Sequence, residues 1–389
     1  MFEYRRIETD ADAEALSHIL SVGFGGQPED SRKWMDRTGH GHIRTLVHDG
    51  RIIGGLAHHP LGQWWGGRSV PMAGIGGVAI DPADRAAGGG TWLMNETVRE
   101  LHREGVALST LYPAKPTLYR RAGYEYAGGH YRIRMKLQEL GMNDRALHMR
   151  RGTDADFETI ERLHRENGRD HNGNTERDEQ FWPRVREPWY RKPHVFLVDG
   201  DAGPEGYVIY HQKINDHDHP DLWLFDLVAR TKGAARRLLT FFRDHRSTCD
   251  YVAWNGHPAD PLLLQAIEQG HEVRLRDIWM LRLTHVKNAL EARGYALGVE
   301  GELHLDVADD VCPENGGRIV LHVHGGKAQV EPGGEGRIAI DVRAIASIYA
   351  GYASPGQIRT AWGLQASDED LDRLGGLFAG STPWMQDMF

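Results

Sequence analysis

A glycine-rich turn between an apolar run and an amphipathic run carries the clearest chemistry in the sequence. Arg85 is followed by Gly88, Gly89 and Gly90, and the amphipathic run that begins there continues to about Arg103. At such a strand-to-helix turn, backbone N–H groups and the positive end of the helix dipole can bind an anion. The spacing lacks the GK[ST] of a P-loop and does not fit G-x-G-x-x-G. It therefore predicts an anion site of another type.

A tyrosine-rich segment follows the next predicted strand. It contains Tyr112, Tyr119, Tyr124 and Tyr126, with a short predicted helix around Tyr119. A phenol is protonated near neutral pH, so a tyrosine whose hydroxyl lies in a cleft can act as a general acid. Any one of the four could equally be a packing residue, and the residues alone leave both interpretations open.

These elements belong to a repeated unit. Arg-Arg, a short spacer and Thr-Asp-Ala-Asp occur at residues 4–12 and again at 148–156, each ahead of an amphipathic run. Thr9 or Asp10 is the predicted N-cap of the first helix. Hairpin patterns with Asp-Gly turns follow in both copies. Repetition at a domain-sized interval indicates duplication of one domain.

The two copies differ at the glycine-rich turn. In the second copy the strand pattern 222–229 leads through Arg230 and Thr231 to a helix with a single glycine, Gly233, near its start. The anion cradle is therefore degraded, and the second copy is predicted to be a structural repeat. From about residue 286 alternating strands, Gly-Gly turns and short helices predict a separate α+β unit.

Composition limits the classes of function. A chain of 389 residues with 40% hydrophobic and 26% charged residues fits two or three globular domains. The formal net charge of −9 argues against nucleic acid as the main partner. Cys249 and Cys312 have no CxxC partner, and histidine pairs such as His58-His59 match no metal-ligand spacing, so we expect no metal.

The hydropathy pattern indicates a location. No apolar run approaches the roughly 20 residues that a membrane-spanning helix needs. The first residues, MFEYRRIETDADAEAL, are too polar for a signal peptide. We therefore expect a cytoplasmic protein that does not act on membranes.

The order of motifs resembles a known family. Strand, Arg-x-x-Gly-x-Gly turn, helix, strand and Leu-Tyr-x-Arg-x-Gly-Tyr are together similar to the signature of GNAT acetyltransferases, which use acetyl-CoA. The whole chain resembles the enhanced intracellular survival (Eis) acetyltransferases. The resemblance implies a mixed α/β and α+β fold with an active GNAT domain (1–145, the first unit), a degenerate GNAT domain (146–285, the second unit) and a sterol-carrier-like domain (286–389, the third unit). It also implies a homo-oligomer, most often a hexamer.

The resemblance assigns roles to residues. Tyr119 matches the general acid, and the α-carboxylate of Phe389 matches the general base. The strand residues Val78, Ala79 and Ile80 would hold the pantetheine arm of acetyl-CoA. The turn would hold its pyrophosphate through the backbone of Arg85, Ala86, Ala87, Gly88, Gly89 and Gly90. The family's turn is commonly richer in arginine than this one.

The acceptor site is predicted from aromatic and acidic residues. Phe24, Asp30 and Trp34 follow the first helix, Trp64 follows the hairpin, and Asp387 precedes the end of the sequence. Aromatic walls with carboxylates suit a polycationic or multi-amine acceptor, such as an aminoglycoside. Polyamines, protein lysines and the amine of a secondary metabolite are other acceptors of this class.

Two further functions are compatible with this architecture. One is an aminoacyl-tRNA-dependent transferase on a tandem GNAT fold, against which the acidic net charge speaks. The other is a non-enzymatic lipid or small-molecule binder, against which the intact Arg85–Gly90 turn and Tyr119 speak. An N-acetyltransferase without a metal is the leading prediction.

Overall fold

The secondary structure repeats in the first two units. The computed structural model describes residues 1–85, 88–268 and 270–389. In the first unit the elements are β1 (Phe2–Arg6), α1 (Asp10–Phe24), α2 (Pro28–Thr38), β2 (Ile43–His48), β3 (Arg51–Trp65), β4 (Arg68–Ile80), α3 (Gly89–Arg103), β5 (Leu108–Leu111), α4 (Pro116–Arg120) and β6 (Glu125–Lys136). In the second unit they are β7 (His148–Arg151), α5 (Phe157–Gly168), β8 (Thr175–Glu176), α6 (Trp182–Arg186), β9 (His194–Gly200), β10 (Gly203–Ile214), β11 (Pro220–Ala229), α7 (Lys232–Asp244), β12 (Tyr251–Asn255) and β13 (His271–Leu283).

The duplicated start of each unit folds by the same local interactions. The Thr9 hydroxyl accepts the N–H of Asp12, whose carboxylate accepts the N–H of Thr9, and Thr153 and Asp156 make the same reciprocal pair. In each copy an arginine of the preceding strand also pairs with that aspartate, at 2.8 Å in the first and 2.7 Å in the second. A capping box of this kind satisfies N–H groups that the helix itself cannot. The prediction of Thr9 as an N-cap is confirmed.

One sheet of 13 strands joins the two units. Its order is β1-β2-β3-β4-β5-β13-β6-β12-β11-β10-β9-β7, with β8 paired to β3 outside this path. β13 lies between β5 and β6 and is antiparallel to both, and β12 pairs with the other edge of β6. The last strand of the second unit therefore completes the sheet of the first, and β6 extends the sheet of the second.

The third unit is a small sheet with helices. Its elements are α8 (Val286–Ala292), β14 (Gly301–Ala308), β15 (Gly317–His324), β16 (Lys327–Pro332), β17 (Ile338–Asp341), α9 (Val342–Tyr349), α10 (Pro355–Trp362) and α11 (Asp368–Phe378). The strand order is β16-β15-β14-β17, with β14 and β17 parallel and the other neighbours antiparallel. The predicted α+β class is confirmed.

Buried ion pairs attach the third unit to the first two. Arg282 of β13 lies 2.6 Å from Asp309, and both side chains are fully buried. Arg343 of α9 lies 2.7 Å from Glu125 at the start of β6. Separating Arg282 from Asp309 would leave two buried charges without partners, so this pair favours one relative placement; Glu125 also pairs with Arg120 of its own unit, at 2.7 Å. In the part of the chain that the structure describes, no helix is long and apolar enough to cross a membrane.

Candidate active site

β4 separates from β5 at Gly76, and the gap between these strands is the centre of the site. Parallel pairing joins Met72–Ile75 to Leu108–Leu111, whereas β4 stays paired with β3 as far as Ile80. Gly77 has a φ of +62°, next to a shift in the register between β3 and β4. From Gly76 to Ile80 the edge of β4 that faces β5 has no strand partner among the described residues. This open edge offers backbone groups to an extended ligand.

The predicted pantetheine-binding residues form this open edge. Val78, Ala79 and Ile80 are the last three residues of β4. Val78 and Ile80 pack with the cluster that contains Tyr119, whereas Ala79 packs on the opposite side with α1. This alternation is that of a regular strand, so their N–H and C=O groups lie in the plane of the sheet.

The N-terminus of α3 forms the predicted anion cradle. Gly88 is its N-cap, with φ of +81° and no side-chain cap. A Cβ atom at Gly88 would have none of the described atoms within 4 Å, so the space in front of the helix is open. The first N–H groups of a helix have no partner within it and can bind phosphate oxygens. Arg85 lies beside the cradle, its Nε 3.4 Å from the carbonyl oxygen of Ile80, while Ala86 and Ala87 lie outside the described residues.

Tyr119 lies on α4, in the apolar cluster against which Val78 and Ile80 pack. Its side chain is buried, and burial raises the pKa of its hydroxyl to about 12. Tyr112 and Tyr124 are engaged elsewhere: the Tyr112 hydroxyl donates to the carbonyl oxygen of Asp387 at 2.8 Å, and that of Tyr124 is 2.7 Å from the Ser109 hydroxyl. Tyr119 makes no such hydrogen bond to a described residue. It is therefore a protonated phenol in the cluster that packs against Val78 and Ile80 of the open edge.

The tail Trp384–Phe389 runs between the first and second units. The N–H of Trp384 donates to the carbonyl oxygen of Asn172 at 3.0 Å, and the N–H of Met385 donates to that of Gly129 at 3.1 Å. Asn174 donates in turn to the carbonyl oxygen of Trp384. The tail is therefore held by backbone contacts to both units before it reaches β4.

Phe389 ends at the gap beside β4. Its carboxyl carbon lies 2.7 Å from the position that a Cβ atom would take at Gly76, and its ring lies 2.9 Å from that position at Gly74. Only glycine leaves room for so close an approach. The ring also packs against Tyr112 and His59, with centroids 6.0 and 6.2 Å apart. The structure thus brings the carboxylate of Phe389 to the open edge of β4.

A buried ion pair anchors the tail. Arg177 donates to both carboxylate oxygens of Asp387, at 2.8 and 2.9 Å, and Thr175 also donates to this carboxylate. Arg177 pairs with Asp226 of β11 as well. Burial alone would raise the pKa of Asp387, but the charge and hydrogen bonds of Arg177 outweigh it and hold the pKa below its ordinary value. Asp387 is therefore an ionised structural anchor.

A cavity of about 470 Å³ adjoins the tail. Trp34 forms part of its wall and packs over Gly77, its ring 2.6 Å from the position of a Cβ atom there. The cavity therefore opens beside the gap between β4 and β5. Its other aromatic walls come from the second unit: Phe181, Trp189, Tyr190, Trp223 and Phe225.

A larger cavity lies away from the gap. It has about 780 Å³ and is lined by residues such as Arg44, His58 and Leu101. Its lining includes neither Tyr119 nor any residue of the tail. Neither cavity is lined by Tyr119 or Phe389, but the smaller one is lined by Gln386, Asp387 and Met388 of the tail and is therefore the better candidate for the acceptor.

The structure gathers only part of the predicted acceptor site. Trp34 and Asp387 line the 470 Å³ cavity, whereas Phe24, Asp30 and Trp64 do not. Phe24 is exposed, Asp30 is exposed beside Lys33 on α2, and Trp64 is buried against Gly168 of the second unit. Asp387 is already paired with Arg177. The aromatic wall is present, but the expected free carboxylates, apart from Asp277, are not.

Sequence reasoning missed the basic residues of this cavity. Four arginines line it: Arg37, Arg132, Arg184 and Arg276. They come from α2, β6, α6 and β13, which are distant in the sequence, so no local motif indicates them. His59 was missed as well. Burial and the charge of Arg184, whose Nη2 lies 3.4 Å from its Nε2, hold the pKa of His59 well below its ordinary value, so its ring is neutral.

The second unit has closed the equivalent cradle. Thr231 caps α7 by accepting the N–H of Ala234 at 3.1 Å, and its hydroxyl donates to a carboxylate oxygen of Glu205 at 2.6 Å. A carboxylate therefore already stands at this helix N-terminus, where the first unit has bare glycine. This arrangement is unfavourable for a phosphate.

The second unit has also filled the equivalent strand gap. β11 pairs in parallel with β12 only at Leu222 and Trp223, so these strands separate as β4 and β5 do. Gln386 of the tail occupies the opening. It donates to the carbonyl oxygen of Phe225 at 3.4 Å and to Asp226 at 2.6 Å, and accepts from Asn255 at 3.2 Å.

The domains and the whole chain match known proteins. Residues 3–127 and 173–283 each match an acetyltransferase (GNAT) domain, and residues 286–386 match a sterol carrier protein domain. A GCN5-related N-acetyltransferase from Anabaena variabilis is 33% identical, with all of both chains covered and a TM-score of 0.95. The chain is a GCN5-related N-acetyltransferase. The predicted tandem fold is confirmed.

Within this family the acetyltransferase is Eis-like. N-acetyltransferase Eis of Mycobacterium tuberculosis is 26% identical over 81% of this chain and 79% of its own length. An uncharacterised N-acetyltransferase of Streptomyces griseus is 25% identical over 83% of each chain. The acetyltransferase has two GNAT domains followed by a sterol carrier protein domain. No group of residues suited to a metal ion occurs in the described ranges.

Proposed function

We propose that the first unit transfers an acetyl group from acetyl-CoA directly to an amino group, with Tyr119 as general acid and the carboxylate of Phe389 as general base. The observation that carries this proposal is the approach of the Phe389 carboxyl carbon to Gly76, 2.7 Å from the position of a Cβ atom there. Gly76 lies where β4 and β5 separate, and Val78 and Ile80 of the open edge beyond it pack with the cluster that contains Tyr119.

The first unit would bind acetyl-CoA through its backbone. The open edge formed by Val78, Ala79 and Ile80 can pair with the pantetheine arm as a neighbouring strand would. The bare N-terminus of α3 at Gly88, with the amides of Gly89 and Gly90 behind it and Arg85 beside it, suits the pyrophosphate. Ala86 and Ala87 are proposed as part of the same loop on sequence grounds alone.

The carboxylate of Phe389 would accept the proton of the attacking amine. An ordinary α-carboxyl group has a pKa of about 3.3–3.7 and is a weak base toward a free ammonium ion. The amine nitrogen becomes far more acidic once it bonds to the thioester carbon, so a carboxylate held beside it can then take the proton. Proximity, rather than a high pKa, would supply the catalysis.

Tyr119 would protonate the departing thiolate. The high pKa keeps its proton in place until negative charge develops on sulfur, and its buried position strengthens a hydrogen bond to that charge. The two residues thus act on opposite sides of one thioester, and the proton lost by the amine and the proton gained by sulfur balance. No covalent enzyme intermediate is needed.

The predicted polycationic acceptor, such as an aminoglycoside, requires free carboxylates in the cavity wall. The four arginines of the cavity do not support that part of the prediction, so the proposal is limited to an amine acceptor. The hexamer, the cytoplasmic location and the boundaries near residues 145 and 285 remain predictions from the resemblance and the sequence. The aminoacyl-tRNA-dependent alternative gains no support from the net charge of −9.

Two measurements test the proposal. Isothermal titration should show acetyl-CoA binding to the protein, and a thiol-release assay with a panel of primary amines should show CoA release that depends on the amine. Binding without release by any amine would contradict the transfer reaction, and absence of binding would contradict the cofactor site. Mass spectrometry of the product should find one added acetyl group on nitrogen.

A further inference from the structure

We propose that the acceptor amine carries an anionic group, a carboxylate or a phosphate, which the arginines of the 470 Å³ cavity bind while aromatic side chains hold the body of the molecule. This inference names the substrate class of the first unit and rests on the proposed function. It concerns an acceptor of opposite charge to an aminoglycoside.

The charged residues of the cavity are mostly basic. Four arginines line it, against two aspartates, Asp277 and Asp387. Asp387 is neutralised by Arg177, as described above. Asp277 is therefore the one lining carboxylate without an arginine within 4 Å in the described chain. A cavity of this composition attracts anions.

The four arginines have no acidic partner of their own. Three of them are half-buried and Arg276 is exposed, and none forms an ion pair within 4 Å with a described carboxylate. Arg132 donates to the amide oxygen of Asn255 at 2.9 Å and stacks on Trp223, but its buried Nη2 has no hydrogen-bond partner among the described residues. A buried donor left in this state is costly, and the uncompensated positive charge of this group favours an anion in the cavity that it lines.

Arg184, which also lines the cavity, likewise has no carboxylate within 4 Å among the described residues. Its Nη2 donates to the Thr38 hydroxyl at 3.1 Å and lies beside the neutral His59. Burial and neighbouring arginines lower the pKa of Arg184, and likewise that of Arg132, to about 10. Both guanidinium groups remain charged near neutral pH, and both would be stabilised by an anion.

The geometry orients the acceptor. Trp34 and Met388 bring one end of the cavity to the carboxylate of Phe389, where the amine must react. Arg132 stacks on Trp223 and bonds to Asn255, and Arg276 is close enough to lower its pKa. The anion should therefore lie away from the amine, with an aromatic or apolar body between them. Trp189, Tyr190 and Phe225 offer flat surfaces to that body.

Three amines of nearly equal shape test the charge. They are 4-(2-aminoethyl)benzoate, 4-(2-aminoethyl)benzamide and 4-(2-aminoethyl)benzamidine, which differ in one group that is anionic, neutral or cationic. We expect kcat/KM for acetyl transfer to be about tenfold higher for the benzoate than for the benzamide, and lowest for the benzamidine, because a charged bidentate contact to arginine is roughly twice as strong as a neutral one. Tyramine phosphate is the second anion, and its rate relative to the benzoate distinguishes a phosphate from a carboxylate site.

Three variants locate the effect. Arg276→Gln should remove most of the preference for the benzoate, measured as the ratio of kcat/KM for the benzoate to kcat/KM for the benzamide. Arg274→Gln, a matched change on the same strand outside the cavity lining, should leave the preference intact. Arg132→Gln should act like Arg276→Gln, and circular dichroism would verify that each variant is folded.

The failures of the two proposals are distinguishable. CoA release with all three amines at equal rates, or fastest with the benzamidine, would overturn the anionic acceptor and leave acetyl transfer standing. If no amine releases CoA, the proposed function fails. The anion site would then be tested by titrating 4-(2-aminoethyl)benzoate and the benzamide into the protein with CoA bound: tighter binding of the benzoate supports the site, and equal binding contradicts it.

Discussion

The first and second units share one fold but differ at two places, the gap between the parallel strands and the N-terminus of the helix beside it. In both, the central parallel pair of strands separates and a helix begins beside the gap. In the first unit the helix starts at bare Gly88 and the gap stays open. In the second, Thr231 and Glu205 occupy the helix N-terminus and Gln386 fills the gap. The second unit thus supports the tail, which ends beside the gap of the first unit.

Only a few residues distinguish the open gap of the first unit from the filled gap of the second. The two units have the same strand order near the gap, since β4 and β5 of the first correspond to β11 and β12 of the second. The difference lies in one uncapped glycine, one carboxylate and the course of six residues at the end of the sequence. Each of these can be changed separately.

The largest effect should come from moving the carboxylate of Phe389. Appending a single glycine should lower the acetylation rate by about 10²–10⁴-fold, the usual contribution of a general base, while acetyl-CoA affinity stays the same. Stopped-flow or steady-state thiol release measures the rate. Phe389→Leu is the control, since it keeps the carboxylate and should retain most activity; an equal loss in both variants would point to the ring instead.

Tyr119→Phe should have the next largest effect. Without a proton donor for the thiolate, kcat should fall by roughly 10²-fold, with little change in the free energy of unfolding because the ring stays buried. Tyr124→Phe is the matched control: it loses the buried hydrogen bond to Ser109 and should cost about 1 kcal/mol of stability without changing kcat. Unchanged turnover in Tyr119→Phe would remove it from the mechanism.

Acid should affect the two units alike. His58 of the first unit and His164 of the second are buried, and burial lowers the pKa of each to about 4. The unfolded chain binds protons at these positions below about pH 6.5, whereas the folded chain does not until about pH 4, so stability is lost as the pH falls through this window. Each histidine should cost on the order of 2 kcal/mol at pH 5. Thermal unfolding of His58→Gln and His164→Gln should each show a shallower loss between pH 7 and 5 than the parent, and a steeper loss would be evidence against this origin.

The helix N-termini should give the smallest effects, of different kinds in the two units. Gly88→Ala places a side chain at φ of +81° and should weaken acetyl-CoA binding by up to about tenfold, since the left-handed conformation costs roughly 1–2 kcal/mol. Thr231→Ala should leave acetyl-CoA binding unchanged and reduce stability by about 1 kcal/mol through loss of the cap. Calorimetry separates these results; a change in acetyl-CoA affinity in Thr231→Ala would mean that the second cradle is in use.

The sequence predicted those parts of the fold that are local. The repeated Thr-Asp-Ala-Asp segment contains its own capping box, so the duplication could be recognised and the N-cap narrowed to Thr9 or Asp10. The glycines after Arg85 and the amphipathic run to Arg103 likewise predict α3 with the correct end. The resemblance to Eis then drew attention to Phe389, whose position beside Gly76 no periodicity could indicate.

Contacts between distant segments escaped prediction. The four cavity arginines come from four different elements. Arg177 lies in the second unit, whereas its partner Asp387 lies near the end of the third. Trp64 was expected in the acceptor wall because it is aromatic and follows a hairpin, yet its ring packs against Gly168. Hydrophobic pattern places a residue inside or outside but does not say which neighbour it meets.

The insertion of β13 between β5 and β6 has a consequence for synthesis on the ribosome. β5 is bare along one edge until residues 271–283 have been made, and at roughly 5–20 residues per second this leaves that edge exposed for on the order of ten seconds. An unpaired strand edge is a template for aggregation during that interval. A gene cut between the two units would also separate each sheet from a strand that completes it. Strand exchange therefore ties the first unit to the second, and the two must be inherited and synthesised together.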